Sequence, residues 1–115
     1  MLHALITQRE GQNMYGKSTD VLEAAYTEFY ESMGIRLHPV SNFTRDFEAL
    51  FEDPIDVLIV TGGGTLHPKY YVEPHKAELQ PHRDVMEERL IMYCVENEIP
   101  VSYTHLRAHE TTLHL

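Results

Sequence analysis

The sequence predicts an α/β protein with a doubly wound, mostly parallel sheet and helices on both faces. Three observations favour this class. Short apolar runs alternate with helical patterns along the chain, the clearest run is rich in β-branched residues, and three glycines end that run. Strands separated by helices pair in parallel through right-handed crossovers. A length of 115 residues allows one domain with a core and is too short for two.

The first strand and helix follow from residues 2–34. Residues 2–7 form a mostly apolar run, typical of a strand buried on both faces. The polar residues 9–17 then predict a loop. Asp20 and Glu23 have the spacing of a capping box, which predicts the start of a helix, and Gly34 is expected to end it.

The middle of the chain predicts two more strands around a short helix. Residues 35–40 are expected to form a strand that is either short or at a sheet edge, because Pro39 lacks the amide hydrogen that an inner strand needs. Residues 43–51 carry aromatic and aliphatic side chains on one helical face. Residues 55–60 are the clearest strand of the chain.

The last third contains one long helix. Residues 65–82 hold three prolines and predict an irregular segment. Residues 83–98 are expected to be helical, and Cys94 lies on their apolar face. A buried structural thiol is therefore expected there. Residues 99–101 resemble the entry to a further strand.

The composition argues against several kinds of partner. The formal net charge is −9, from 18 acidic and 9 basic residues. Such a surface repels phosphate backbones and anionic lipids, so neither nucleic acid nor a membrane surface is an expected partner. The start of the chain lacks a basic leader, no stretch is apolar enough to span a bilayer, and Cys94 has no partner for a disulfide. These features predict a cytoplasmic protein.

Three glycines follow the clearest strand, where open parallel sheets bind their ligands. Glycines at such a turn let backbone amides approach a ligand closely. The amides of Gly62, Gly63 and Gly64 would suit either a phosphate or the oxyanion of acyl transfer. The spacing matches neither a dinucleotide-binding nor a Walker loop, which disfavours the phosphate. A tight turn without a ligand is the simpler alternative.

Several short motifs, in their order and separation, resemble one family. The chain is similar to the γ-glutamyl-γ-aminobutyrate hydrolase branch of the class I glutamine amidotransferases. The matching residues are Asp56 to Gly64, Pro68, Tyr71, Arg83, Asp84, Glu87 and Ile99 to Val101.

The resemblance implies a flavodoxin-like fold and a reaction without a cofactor. A cysteine thiolate, activated by a distant histidine and a following glutamate that this chain lacks, would attack a γ-glutamyl amide. An amine would leave, and water would release glutamate. The Gly63 amide is the implied oxyanion donor, and Gly62, Gly64 and His67 are the implied substrate-binding residues. The implied partner is a small γ-glutamyl compound, and the oligomeric state is left open.

The residues after Val101 depart from the family. The nucleophile is expected there on a Gly-x-Cys-x-Gly elbow, but the sequence contains none, and His105 stands near its position. Residues 102–115 resemble the translation of a sequencing adapter. We therefore expect residues 1–101 to be the N-terminal part of an amidotransferase-like domain, followed by a non-native tail. Such a chain would be inactive, with an open apolar edge on the strand at 55–60.

Two other functions are compatible with the residues alone. One is a non-catalytic, flavodoxin-like binding or regulatory domain. The other is a metal site built on His105 and His109, four residues apart and next to Glu110. Two histidines without an obvious third ligand make a weak site, so no metal is expected. The remaining histidines are expected to be scattered surface or loop residues; they are His3, His38, His67, His75 and His82.

Overall fold

A computed structural model describes residues 1–62, 80–107 and 110–114, with side chains described up to residue 104. In chain order the elements are β1 (Leu2–Thr7), β2 (Arg9–Gln12), β3 (Ser18–Val21), α1 (Ala24–Glu31), β4 (Ile35–Val40), α2 (Phe47–Leu50), β5 (Val57–Thr61), α3 (Pro81–Glu96), β6 (Val101–Arg107) and β7 (Glu110–His114).

Five of the strands form one sheet in the order β4-β1-β5-β6-β7. The first four of that order are parallel, and β7 pairs antiparallel with β6. The predicted α/β class with a mostly parallel sheet is therefore confirmed. The edge position predicted for residues 35–40 is also confirmed, and Pro39 lies on that edge strand.

The sheet buries side chains on both faces because successive residues of a strand point to opposite sides. On one face α2 and α3 cover Leu5, Leu58 and Val60. On the other, Tyr26 and Tyr30 of α1 cover Ala4, Ile6 and Ile59. This two-sided burial explains why β1 and β5 read as continuous apolar runs in the sequence.

The predicted loop at residues 9–17 is wrong. β2 pairs antiparallel with β3, from Arg9↔Val21 to Gln12↔Ser18, and forms a separate two-stranded sheet. The Asn13 side chain accepts hydrogen bonds from the amides of Tyr15 and Lys17 and so closes the turn. The segment is polar because the hairpin lies outside the main core, which is why its sequence resembles a loop.

The predicted capping box is also wrong, because Asp20 lies in β3 and the helix begins later, at Ala24. The Asp20 carboxylate instead accepts hydrogen bonds from the Ser41 hydroxyl and the Asn42 backbone amide. Glu23 is the N-cap without a side-chain bond to the helix, and it pairs with Arg9 at 2.6 Å. Asp20 therefore attaches the hairpin to the end of β4.

The ends of the helices follow local rules more closely. Gly34 has φ of 76° after α1, as predicted for a residue that ends a helix in the left-handed region. The aromatic stretch at 43–51 is helical only over α2, where the Asp46 carboxylate caps the Ala49 amide at 3.2 Å. α3 begins two residues before the predicted start, with Pro81 in its first turn.

The expected open edge on the strand at 55–60 is wrong, because β6 covers that edge. Leu58 pairs with Val101, and the parallel register continues to Thr61 and Thr104. The strand predicted from residues 99–101 thus exists and runs past residue 101 as far as Arg107. None of the helices in the described ranges combines the length and hydrophobicity needed to cross a bilayer.

Leu90 tests the packing of α3, because it is fully buried while Met92 of the same helix is 55% exposed. We expect Leu90→Ala to lower the free energy of unfolding by about 2–5 kcal/mol, from lost transfer energy and the cavity left behind. Urea denaturation measures the change. Met92→Ala is the matched control, with an expected loss below about 0.5 kcal/mol. Equal losses in both variants would contradict the described packing of the helix.

Candidate active site

The carboxyl ends of β1 and β5 are joined by two threonines rather than by backbone pairing. The paired residues of these strands end at Ile6 and Ile59. Beyond them the Thr61 amide donates to the Thr7 hydroxyl at 3.0 Å, and the Thr61 hydroxyl donates to the Thr7 carbonyl at 3.1 Å. Both residues are buried. The strand that leads into the glycine turn is therefore fixed at its last residue.

Arg83 holds the same residue from the helix side. Its guanidinium donates to the Thr61 carbonyl at 2.7 Å and to the Thr61 hydroxyl at 2.8 Å. It also pairs with Glu87, one turn along α3, at 2.8 Å. Arg83 is only 4% exposed, so its charge needs this carboxylate and these oxygens in place of water. The guanidinium thus links α3 directly to the start of the glycine turn.

The N-terminus of α3 is capped by the hairpin. The Glu10 carboxylate accepts hydrogen bonds from the backbone amides of His82 and Arg83, at 2.9 and 3.1 Å. It also pairs with the His82 ring at 2.5 Å. A carboxylate in this position satisfies free amides of the first turn and complements the helix dipole. Gln80 adds a second link, because its side-chain oxygen accepts the Glu10 amide at 2.7 Å.

Of the predicted site residues, Gly62 is described. Its amide donates to the Thr104 carbonyl at 2.6 Å, so it continues the β5–β6 pairing and is not directed at a ligand. Gly63, Gly64 and His67 lie outside the described residues. Their roles, and the substrate-binding role of Gly62, stay predictions.

Cys94 does not have the surroundings of a nucleophile. It is fully buried on α3, where Leu58 and Leu90 belong to the same core cluster. Burial raises the pKa of its thiol from 9.0 to about 11, so the reactive thiolate is disfavoured. The prediction of a buried thiol is confirmed.

No group of three or more metal-ligating side chains occurs within the described part of the chain. The side chains of His105 and His109 fall outside that part. Two histidines expected to be scattered are neighbours instead: the Nδ1 of His3 in β1 and the Nε2 of His38 in β4 lie 2.9 Å apart. The expectation was wrong because parallel pairing of β1 with β4 aligns these rows of side chains.

Sequence reasoning recognised Arg83 as part of a motif but not its role. Its contact with Thr61 left no local signal, because the two residues are 22 positions apart. Glu10 and Thr7 gave no signal at all, because their partners lie far away in the chain, 72 residues for Glu10 and His82 and 54 for Thr7 and Thr61.

The fold and this edge define a flavodoxin-like α/β domain in which Thr7 and Arg83 hold the last residue of β5, ahead of the three glycines. The sequence profile of the peptidase C26 family matches residues 2–103. The chain therefore belongs to the peptidase C26 family, which is class I glutamine amidotransferase-like. No curated protein matches the chain.

The hydrogen bonds that Thr61 makes with Thr7 and Arg83 form a clamp on Thr61, and Arg83→Lys tests it. Lysine keeps the charge, but it lacks the planar fork that reaches several acceptors at once. We expect the variant to lose about 1–3 kcal/mol of unfolding free energy. We also expect faster amide hydrogen exchange at Thr61 and Gly62. Arg36→Lys, on an exposed residue of β4, is the control and should change neither. Unchanged exchange at Gly62 in Arg83→Lys would show that the arginine does not hold the turn.

Cys94 offers a chemical test of the core. Burial raises the pKa of this thiol from 9.0 to about 11. At about pH 8 the folded thiol is therefore ionised about 100-fold less than a thiol of ordinary pKa. We expect iodoacetamide to alkylate the folded protein at least that much more slowly than the protein in urea. Similar alkylation rates in the folded and unfolded protein would contradict the burial.

The free energy of unfolding should also fall as pH rises from about 9 towards 11, because the folded thiol holds its proton more tightly than the unfolded one.

Proposed function

We propose that the chain is the N-terminal part of a hydrolase that cleaves γ-glutamyl amides with a cysteine nucleophile, and that it is inactive as written. Membership of the peptidase C26 family supports the reaction class. The sequence supports the inactivity, because its single cysteine is the buried Cys94. A small γ-glutamyl compound is the proposed partner, and the cytoplasm the proposed location.

The observation that carries the proposal is the clamp on Thr61. A catalytic oxyanion site needs donors that are held in place before the reaction, because reorganising them during the reaction would cost energy. Arg83 and Thr7 fix the residue that precedes the three glycines.

The partners of two neighbouring amides support Gly63 as the proposed oxyanion donor. The Thr61 amide points to β1 and the Gly62 amide to β6, and both are hydrogen-bonded. Gly63 is the next amide along the chain. In the proposed reaction a histidine takes the thiol proton and the thiolate attacks the amide carbon, while the oxyanion accepts a hydrogen bond from the Gly63 N–H. The C–N bond then breaks as the histidine passes that proton to the amine, and water hydrolyses the thioester left behind.

The register of β5 and β6 supports the expected position of the nucleophile. Thr61 pairs with Thr104, so one residue further along the two strands are Gly62 and His105. A cysteine at position 105 would thus lie on the strand next to β5, one residue beyond the pair of Thr61 and Thr104. We keep the proposal that residues 1–101 belong to the amidotransferase-like domain and that residues 102–115 replace its elbow.

Genomic sequence past the codon for Val101 gives the decisive test. We expect it to continue into a Gly-x-Cys-x-Gly elbow, and the complete chain to release p-nitroaniline from γ-glutamyl-p-nitroanilide. The chain of 115 residues should show no turnover. Cys→Ser at the elbow of the complete chain is the control and should abolish release. A continuation without the elbow, or turnover by the 115-residue chain, would refute the proposal.

A further inference from the structure

A cavity of about 460 Å³ lies between the segment that joins β4 to α2 and the first turns of α3. Much of its wall is apolar, from Phe43, Phe47, Val85 and Met86. The α3 residues of the wall recur every three or four positions, so they form one face of the helix. A cavity of this size suits a small molecule rather than a peptide or a nucleic acid.

Two arginines line this cavity, Arg45 and Arg89. Neither makes a hydrogen bond or an ion pair with any side chain in the described ranges. Both residues are exposed, and they place positive charge beside the cavity in a chain with twice as many acidic as basic residues. Positive charge beside an apolar cavity favours an anionic occupant.

The positive charge of the cavity does not come from the end of α3 or from His82. Glu10 already caps the helix amides and pairs with the His82 ring. His82 instead contributes an aromatic surface, since its ring lies 4.6 Å from that of Phe43. Phe43 is 43% exposed, so a ligand ring has an aromatic face to contact.

We propose that this cavity binds a small organic anion with an aromatic body. Its carboxylate or phosphate pairs with Arg45 and Arg89, and its ring packs beside Phe43. The proposal does not rest on the proposed hydrolase function. His82 in the cavity wall directly precedes Arg83 in the sequence. An occupant would therefore touch the first turn of α3, from which Arg83 binds Thr61.

Calorimetric titration with phenyl phosphate tests the site, because this probe joins a divalent anion to a ring. Inorganic phosphate and benzyl alcohol are the separate halves. We expect phenyl phosphate to bind at least about tenfold more tightly than either half, and Arg45→Gln and Arg89→Gln each to weaken it about tenfold. Arg36→Gln removes the same charge at the other end of β4 and should leave affinity unchanged. Urea denaturation checks that all variants are equally folded.

Phe43→Leu separates the ring contact from the charge. It should reduce the preference for phenyl phosphate over inorganic phosphate while leaving the affinity for inorganic phosphate unchanged. Three results would overturn the proposal: no binding at millimolar probe, equal affinity for inorganic phosphate, or an equal loss in Arg36→Gln. The last would mean that net charge alone attracts the anion.

Discussion

The guanidinium of Arg83 joins the two parts of the molecule that the candidate site requires. It reaches from the first turn of α3 to the last residue of β5 and occupies the carbonyl and hydroxyl of Thr61. The guanidinium is buried, so its charge is stable only where oxygen atoms accept its hydrogen bonds in place of water. This requirement fixes its position against Thr61. The helix and the carboxyl end of β5 therefore cannot shift independently, whatever chemistry the glycines serve.

Much of the fold was accessible from the sequence because burial on both faces leaves a strong local signal. β1 and β5 are continuous apolar runs, and α3 places Met86, Leu90 and Cys94 on one side. Gly34 was recognisable because a left-handed residue at a helix end has few alternatives to glycine. In each of these cases the residues that specify the element lie within it.

In the predictions that were wrong, the residues that determine the structure lie far apart in the chain. Asp20 has the local pattern of a helix cap, yet its partners are Ser41 and Asn42, about twenty residues away. The polar hairpin of β2 and β3 resembles a loop because its contacts with α3 are polar and distant. The open edge was expected from what the family needs after Val101, whereas backbone pairing of β6 with β5 requires hardly any side-chain specificity. Tertiary hydrogen bonds of this kind leave no periodicity in a sequence.

The Glu10 cap has a consequence for how the molecule assembles. Its contact with His82 spans 72 positions, more than half of the chain, and the Thr7–Thr61 contact spans 54. Closing such long loops is entropically costly, so these bonds form only once the central strands have come together. Order at Thr61 and at the first turn of α3 is thus expected late in folding, and partly assembled chains would have the helix without the hydrogen bonds that cap it.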